Sequence, residues 1–211
     1  MSVSESHVNI LCFGGNNGSA TVTAIGGTPG YTYNWNTIPV QTTNGASTLI
    51  AGTYTVTVTD FNSCSASISS IITQPATPLS VTTSVTTPLC FGQPNGATAT
   101  ATGGTSGYTY SWSTAPVQNT QTILNVPAAI YTVTTTDANS CTATATANVI
   151  AAPSQLTATT THTDVLCYGL SNGSATVTAA GGTTAYTYSW SSTPTQTTQS
   201  ATNLPAGIFN V

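Results

Sequence analysis

The side chains with the sharpest chemistry in this 211-residue sequence are five cysteines, two histidines and four acids, Glu5, Asp60, Asp137 and Asp164. Lysine and arginine are absent. Cys12 and Cys64 stand 52 residues apart and Cys90 and Cys141 stand 51 apart, each interval enclosing one tryptophan. Two cysteines per unit at constant spacing read as one disulfide per unit, Cys12 with Cys64 and Cys90 with Cys141. Cys167 is then unpaired by truncation of a third unit. A loop of this size stabilises by about 4 kcal/mol on the chain-entropy model. The alternative is a set of free thiols packed as small apolar groups, because spacing cannot prove bonding. Zinc is disfavoured, since no two cysteines lie within a few residues of each other.

Acid–base chemistry finds little to work with. A nucleophilic hydroxyl needs a base, and residues 76–153 contain no His, Lys or Glu. His7 and His162 occupy matching places five residues before a cysteine, where the middle copy has Val85, so they read as surface decoration. Asp60-Phe61-Asn62-Ser63 and Asp137-Ala138-Asn139-Ser140 faintly resemble calcium loops. Calcium wants six to eight oxygens, several from carboxylates, and an Asx turn leading into the second cysteine is the simpler reading. The expectation is a protein that is not an enzyme, with no metal and no cofactor.

These residues are carried on a repeat. GGTPGYTYNW at Gly26 to Trp35 returns as GGTSGYTYSW at Gly103 and GGTTAYTYSW at Gly181, with tryptophan separations of 77 and 78 residues. A period this long suits a small independently folding unit, copied twice in full and a third time in part. The expected domains are 1–75, 76–153 and 154–211, joined by short proline-bearing linkers at Gln74 to Pro78 and Ala151 to Pro153. The start MSVSESHVNI has neither a basic nor an apolar leader region, and the end stops inside a strand pattern, so the chain reads as a window on a longer one.

Within each copy the pattern has period two. Tyr31, Tyr33 and Trp35 share one parity, as do Tyr108, Tyr110 and Trp112, and Tyr186, Tyr188 and Trp190; these nine aromatics are the expected core. Tyr54, Val56 and Val58 alternate with outward threonines, and Ala97, Ala99 and Ala101 leave inward room for an indole. Asn17-Gly18, Asn95-Gly96 and Asn172-Gly173 read as turns where both residues tolerate positive φ and a tight hairpin can close. No stretch holds a helical period. The fold class is all-β: tandem Ig-like or PKD-like antiparallel β-sandwich repeats of about 77 residues, with six or seven short strands each.

In fixed order, each copy carries L-C-[FY]-G, N-G-[SA]-[AT], G-G-T-x-x-Y-T-Y-x-W and A-G-x-[YF]-x-V, the last with Ala129 in place of glycine in the middle copy; copies one and two close with D-x-N-S-C. This string resembles the SprB repeat of large surface adhesins in gliding Bacteroidota. The resemblance implies type IX secretion and display on extracellular filaments used in gliding, attachment or prey capture.

Composition bounds the partners. With 2% charged residues and a net charge of −4, the chain has no cations for nucleic acid or acidic lipid, and no apolar run long enough to enter a membrane. Sheet proteins commonly guard their edges with lysine, so a chain without any is expected to cover them laterally with neighbouring chains, as a homo-oligomer. The leading expectation is a structural stalk on the cell surface. The alternative is direct binding of surface glycans through loops such as Thr37 to Thr48.

Overall fold

The computed structural model describes residues 1–211 and contains strands but no helix. The first copy holds β1 (Ser2–Val8), β2 (Gly18–Ile25), β3 (Thr32–Trp35), β4 (Gly45–Leu49), β5 (Gly52–Thr59) and β6 (Ser65–Ile72). The second holds β7 (Ser80–Thr86), β8 (Gly96–Thr102), β9 (Thr109–Trp112), β10 (Thr122–Leu124), β11 (Ala129–Thr136) and β12 (Thr142–Val149). The third holds β13 (Thr157–Thr163), β14 (Gly173–Ala180) and β15 (Ser200–Leu204). Their sheets are β1-β2-β4 and β3-β5-β6, then β7-β8-β10 and β9-β11-β12, then β13-β14-β15. The chain is thus all-β, built from small antiparallel sheets in tandem sandwich repeats, as the alternating pattern predicted.

By contacts the chain divides into two compact units. One comprises residues 1–84, 98–121 and 131–147, and the other residues 85–97, 122–130 and 148–211. In the first unit, the core of the first copy gathers Ile10, Ala20, Val22, Trp35, Ala46, Leu49, Val56, Val58 and Ile72, with Tyr31 and Tyr33 partly buried against it. The register explains the aromatic spacing: Trp35 lies opposite Val56 and Tyr33 opposite Val58, so one parity of two paired strands supplies the indole and its walls. Trp112 opposite Val133 and Tyr110 opposite Thr135 repeat the arrangement, with Ala97 and Ala99 buried as expected. In the second unit, Trp190 packs with Val177, Ala201 and Leu204, and Tyr188 lies partly buried beside them.

The outward faces are held by hydroxyls where other proteins use ion pairs. Thr55 and Ser69 share a hydrogen bond of 2.8 Å across the β5–β6 pair, and Thr57 and Ser67 one of 3.0 Å. The two sheets of the first copy also meet along a seam. Glu5 of β1 accepts the Ser70 hydroxyl of β6 at 2.7 Å. At the matching seam in the second copy, Thr83 donates to the Thr146 carbonyl at 2.7 Å.

One turn expectation is corrected. Asn17-Gly18 does not form a two-residue hairpin: β1 ends at Val8, and Gly18 is already the first residue of β2. The glycine is required by space, because a Cβ there would lie 2.7 Å from Ile72 Cγ2 and 2.8 Å from the Leu49 carbonyl oxygen. Gly96 faces the Ile123 carbonyl in the same way. Asn95 clamps backbone instead, its Nδ2 donating to the carbonyls of Val126 at 2.8 Å and Ile150 at 3.1 Å.

Candidate functional site

The chemistry-bearing residues converge where β5 ends. Asp60 is buried, and its Oδ1 accepts the backbone N–H groups of Asn62 at 3.0 Å and Cys64 at 2.9 Å. Its Oδ2 accepts the Thr28 N–H at 3.0 Å, while Asn62 Nδ2 donates to Thr28 Oγ1 at 2.8 Å. The GGT and D-x-N-S-C motifs are therefore one site, an Asx turn that seizes the glycine turn 32 residues earlier. Gly27 must be glycine: its φ is +79° and a Cβ would stand 2.7 Å from Asp60 Oδ2. The second copy repeats the geometry, with Asp137 accepting from Thr105 at 2.9 Å, Asn139 at 2.9 Å and Cys141 at 2.8 Å. Ser63 and Ser140 share a φ of +66°. The first tyrosine of each aromatic phrase locks the glycine turn from the other side: Tyr31 Oη donates to the Gly26 carbonyl at 2.8 Å and Tyr108 to that of Gly103 at 2.7 Å.

Donated N–H groups set the ionisation of these acids. The Thr28 amide, followed by that of Cys64, holds Asp60 below its ordinary value. At Asp137 burial is the largest influence and pushes upward, but the amides of Thr105, Cys141 and Asn139 together outweigh it and the carboxyl is lowered. The Asx-turn reading is what the geometry shows: both carboxylate oxygens serve the backbone.

The cysteines are where the structure departs from expectation. The bond joins Cys12 to Cys141, 129 residues apart with a Cα–Cα distance of 5.7 Å, while Cys64, Cys90 and Cys167 are free and exposed. The expected pairs Cys12–Cys64 and Cys90–Cys141 are thus corrected, and the reason is strand length. Cys64 immediately precedes β6, whereas the Cys12 loop bonds at its far end, through Ile10 N–H to the Thr73 carbonyl at 2.9 Å and Gly14 N–H to Gln74 Oε1 at 2.8 Å. Eight strand residues span roughly 26 Å, and a disulfide tolerates a Cα separation of at most about 7 Å. Cys12 and Cys64 of the first copy therefore lie at opposite poles, and the loop of the first copy meets the turn of the second. Asn139 Nδ2 adds a bond to the Leu11 carbonyl at 2.9 Å beside the disulfide.

The remaining candidates do local work. His7 Nδ1 lies 3.2 Å from Glu5 Oε2, and Glu5 in turn accepts from Ser70, a hydrogen bond that lowers the Glu5 pKa. In this Ser–Glu–His order the acid separates hydroxyl from imidazole, so the histidine does not reach the serine as a base would. His162 lies 3.5 Å from Asp164 with both exposed. The Thr37 to Thr48 loop is braced from within: Thr37 Oγ1 accepts the Gln41 N–H at 2.9 Å, and Trp35 Nε1 donates to the Thr43 carbonyl at 2.9 Å. Trp112 to Thr120 at 3.0 Å and Trp190 to Thr198 at 2.9 Å repeat that indole anchor.

The family model of the SprB repeat matches residues 4–40, 82–117 and 159–195, which is 110 of the 211 residues. The chain belongs to the SprB repeat family. SprB repeats occur in surface or extracellular proteins, which makes this chain an adhesin-like repeat protein of that kind. Each matched SprB segment runs from the first strand of a copy through the cysteine loop and the tryptophan to the braced turn. It therefore includes Cys12, Cys90 and Cys167, whereas Cys64 and Cys141, the cysteines that close the D-x-N-S-C turns, fall outside it. No curated protein matches the chain. The site that sequence reasoning missed is this junction. Constant cysteine spacing fits a bond between copies as well as one within a copy, and only the intervening strand β6 could have told them apart.

Proposed function

We propose that the chain is a stalk segment of a large extracellular repeat adhesin or surface filament, exported by the type IX pathway and serving attachment, gliding or prey capture. The observation that supports this most is the Cys12–Cys141 bond, because it ties one SprB repeat to the next and adds to the backbone a second covalent path for tension between them. The acids point the same way, their oxygens being engaged in bracing turns at Asp60 and Asp137. On this reading the chain carries load and is not an enzyme. Its uncharged hydroxyl faces offer little repulsion to neighbours, which supports lateral assembly of several copies. Antibodies raised against the repeats should decorate filaments outside intact cells in electron micrographs, and label confined to the cell interior would overturn the proposal. Lateral assembly is tested separately: monomers at high concentration in light scattering would remove it. The glycan-binding alternative gains little from the braced loop, whose exposed tip offers the aliphatic Ile38 and Val40 and no stacking ring. Binding on a glycan array would revive it.

A further inference from the structure

The junction between the first two copies supplies a template for the thiols that stay free. Cys64 ends the turn Asp60-Phe61-Asn62-Ser63-Cys64, the counterpart of Asp137-Ala138-Asn139-Ser140-Cys141, with the same carboxylate clamp and the same φ of +66° at its serine. Cys167 sits in Leu166-Cys167-Tyr168-Gly169, the counterpart of the loop Leu11-Cys12-Phe13-Gly14 that docks on the second turn. One pair is joined, and the other pair carries the same two halves unjoined.

Exposure separates the two states of the loop. Leu11 and Phe13, in the joined loop, are 47% and 45% exposed, whereas Leu166 and Tyr168 are 81% and 106% exposed. Phe61, beside Cys64, adds another exposed ring at the receiving turn. Asn62 makes the bond to Thr28 that Asn139 makes to Thr105, but the second bond of Asn139, to the Leu11 carbonyl, has no counterpart there. The Cys90 loop differs, since the Leu89 carbonyl accepts Thr183 Oγ1 of the third copy at 3.4 Å.

We propose that the Asp60–Cys64 turn and the Cys167 loop are the two ends of a head-to-tail junction, and that the partner each fits is a second copy of this chain. The inference rests on the serial-array reading but not on where the protein is located. Docking seats Leu166 and Tyr168 of one copy by Phe61 of the next and brings the two thiols together. A disulfide oxidant such as oxidised glutathione completes the bond. The Cys64 thiolate displaces one glutathione thiolate to form a mixed disulfide, and the Cys167 thiolate then displaces the second. Two protein thiols are oxidised and one glutathione disulfide is reduced to two thiols.

The test is incubation of the whole chain with oxidised glutathione, followed by non-reducing electrophoresis and mass spectrometry of cross-linked peptides. The expected result is a ladder of dimers and higher species, with Cys64–Cys167 peptides exceeding Cys64–Cys64 peptides on the order of tenfold, because docking raises the effective concentration of the correct pair. Cys64→Ser or Cys167→Ser alone should abolish the ladder. Mixing those two variants should restore dimers and nothing larger, while Cys90→Ser should leave the ladder intact. All three thiols are exposed, so each variant should keep the β-sheet circular dichroism of the parent. Bridges in random proportion, or monomers throughout, would overturn the proposal. Neither result alters the outcome of surface labelling, so the two readings fail separately.

Discussion

Removing the bond between copies, by Cys12→Ser with Cys141→Ser, should loosen the first two copies together. The loop closed by this disulfide spans 129 residues, and the chain-entropy relation assigns it about 5 kcal/mol. A bond from Cys12 to Cys64 would close 52 residues and contribute about 4 kcal/mol, so total stability alone cannot identify the pairing. The distribution can. With a guanidinium slope of roughly 5 kcal/mol per molar, the unfolding midpoint should fall by about 1 M. Hydrogen exchange read by mass spectrometry should show lost protection in peptides around both Val56 and Val133, with peptides around Val177 unchanged. Peptide mapping of the native chain that found Cys12 joined to Cys64, or protection lost in the first copy alone, would refute the reasoning.

Other substitutions exploit differences between copies. Thr135 is fully buried with no hydrogen-bond partner for Oγ1, at the place Val58 holds in the first copy, so Thr135→Val should stabilise by about 1–2 kcal/mol in denaturant titration. Thr48 has a φ of +59°, where the sister copies place Asn125 and Asn203; Thr48→Asn should raise stability by about 1 kcal/mol, because a β-branched residue tolerates that region poorly. Trp112→Ala should cost about 3–5 kcal/mol and empty the centre of the second copy, visible as a lower melting temperature. Asp60, Asp137 and Glu5 are all held below their ordinary values. Their stabilisation is therefore fully present above the unfolded carboxylate values near pH 4 and is lost as pH falls through the lower folded values. Melting temperature should hold steady down to about pH 5 and drop below pH 4, and Asp137→Asn should flatten that drop.

Much of the fold was legible because its causes are local. Alternation at Tyr31, Tyr33 and Trp35 is a property of adjacent residues on a pleated strand, and it places the indole inward wherever the strand ends up. The Asp60 turn was legible for the same reason, since an aspartate reaching its own backbone two and four residues on depends on nothing distant. Gly18 was misread because a glycine at a turn and a glycine with no room for a Cβ look alike in sequence; Ile72 and Leu49, which exclude the side chain, come from strands far along the chain.

By itself the sequence determined the period, the inward face of each strand, the tryptophan-centred cores and the acid-clamped turns, all through contacts that each copy makes with itself. Tertiary structure decided which cysteines meet. Their pairing depends on the pole of the sandwich each reaches after a strand of fixed length, and on the next copy presenting its turn there. A bond that tolerates only a few ångströms of misplacement is settled by that approach and is indifferent to spacing along the chain.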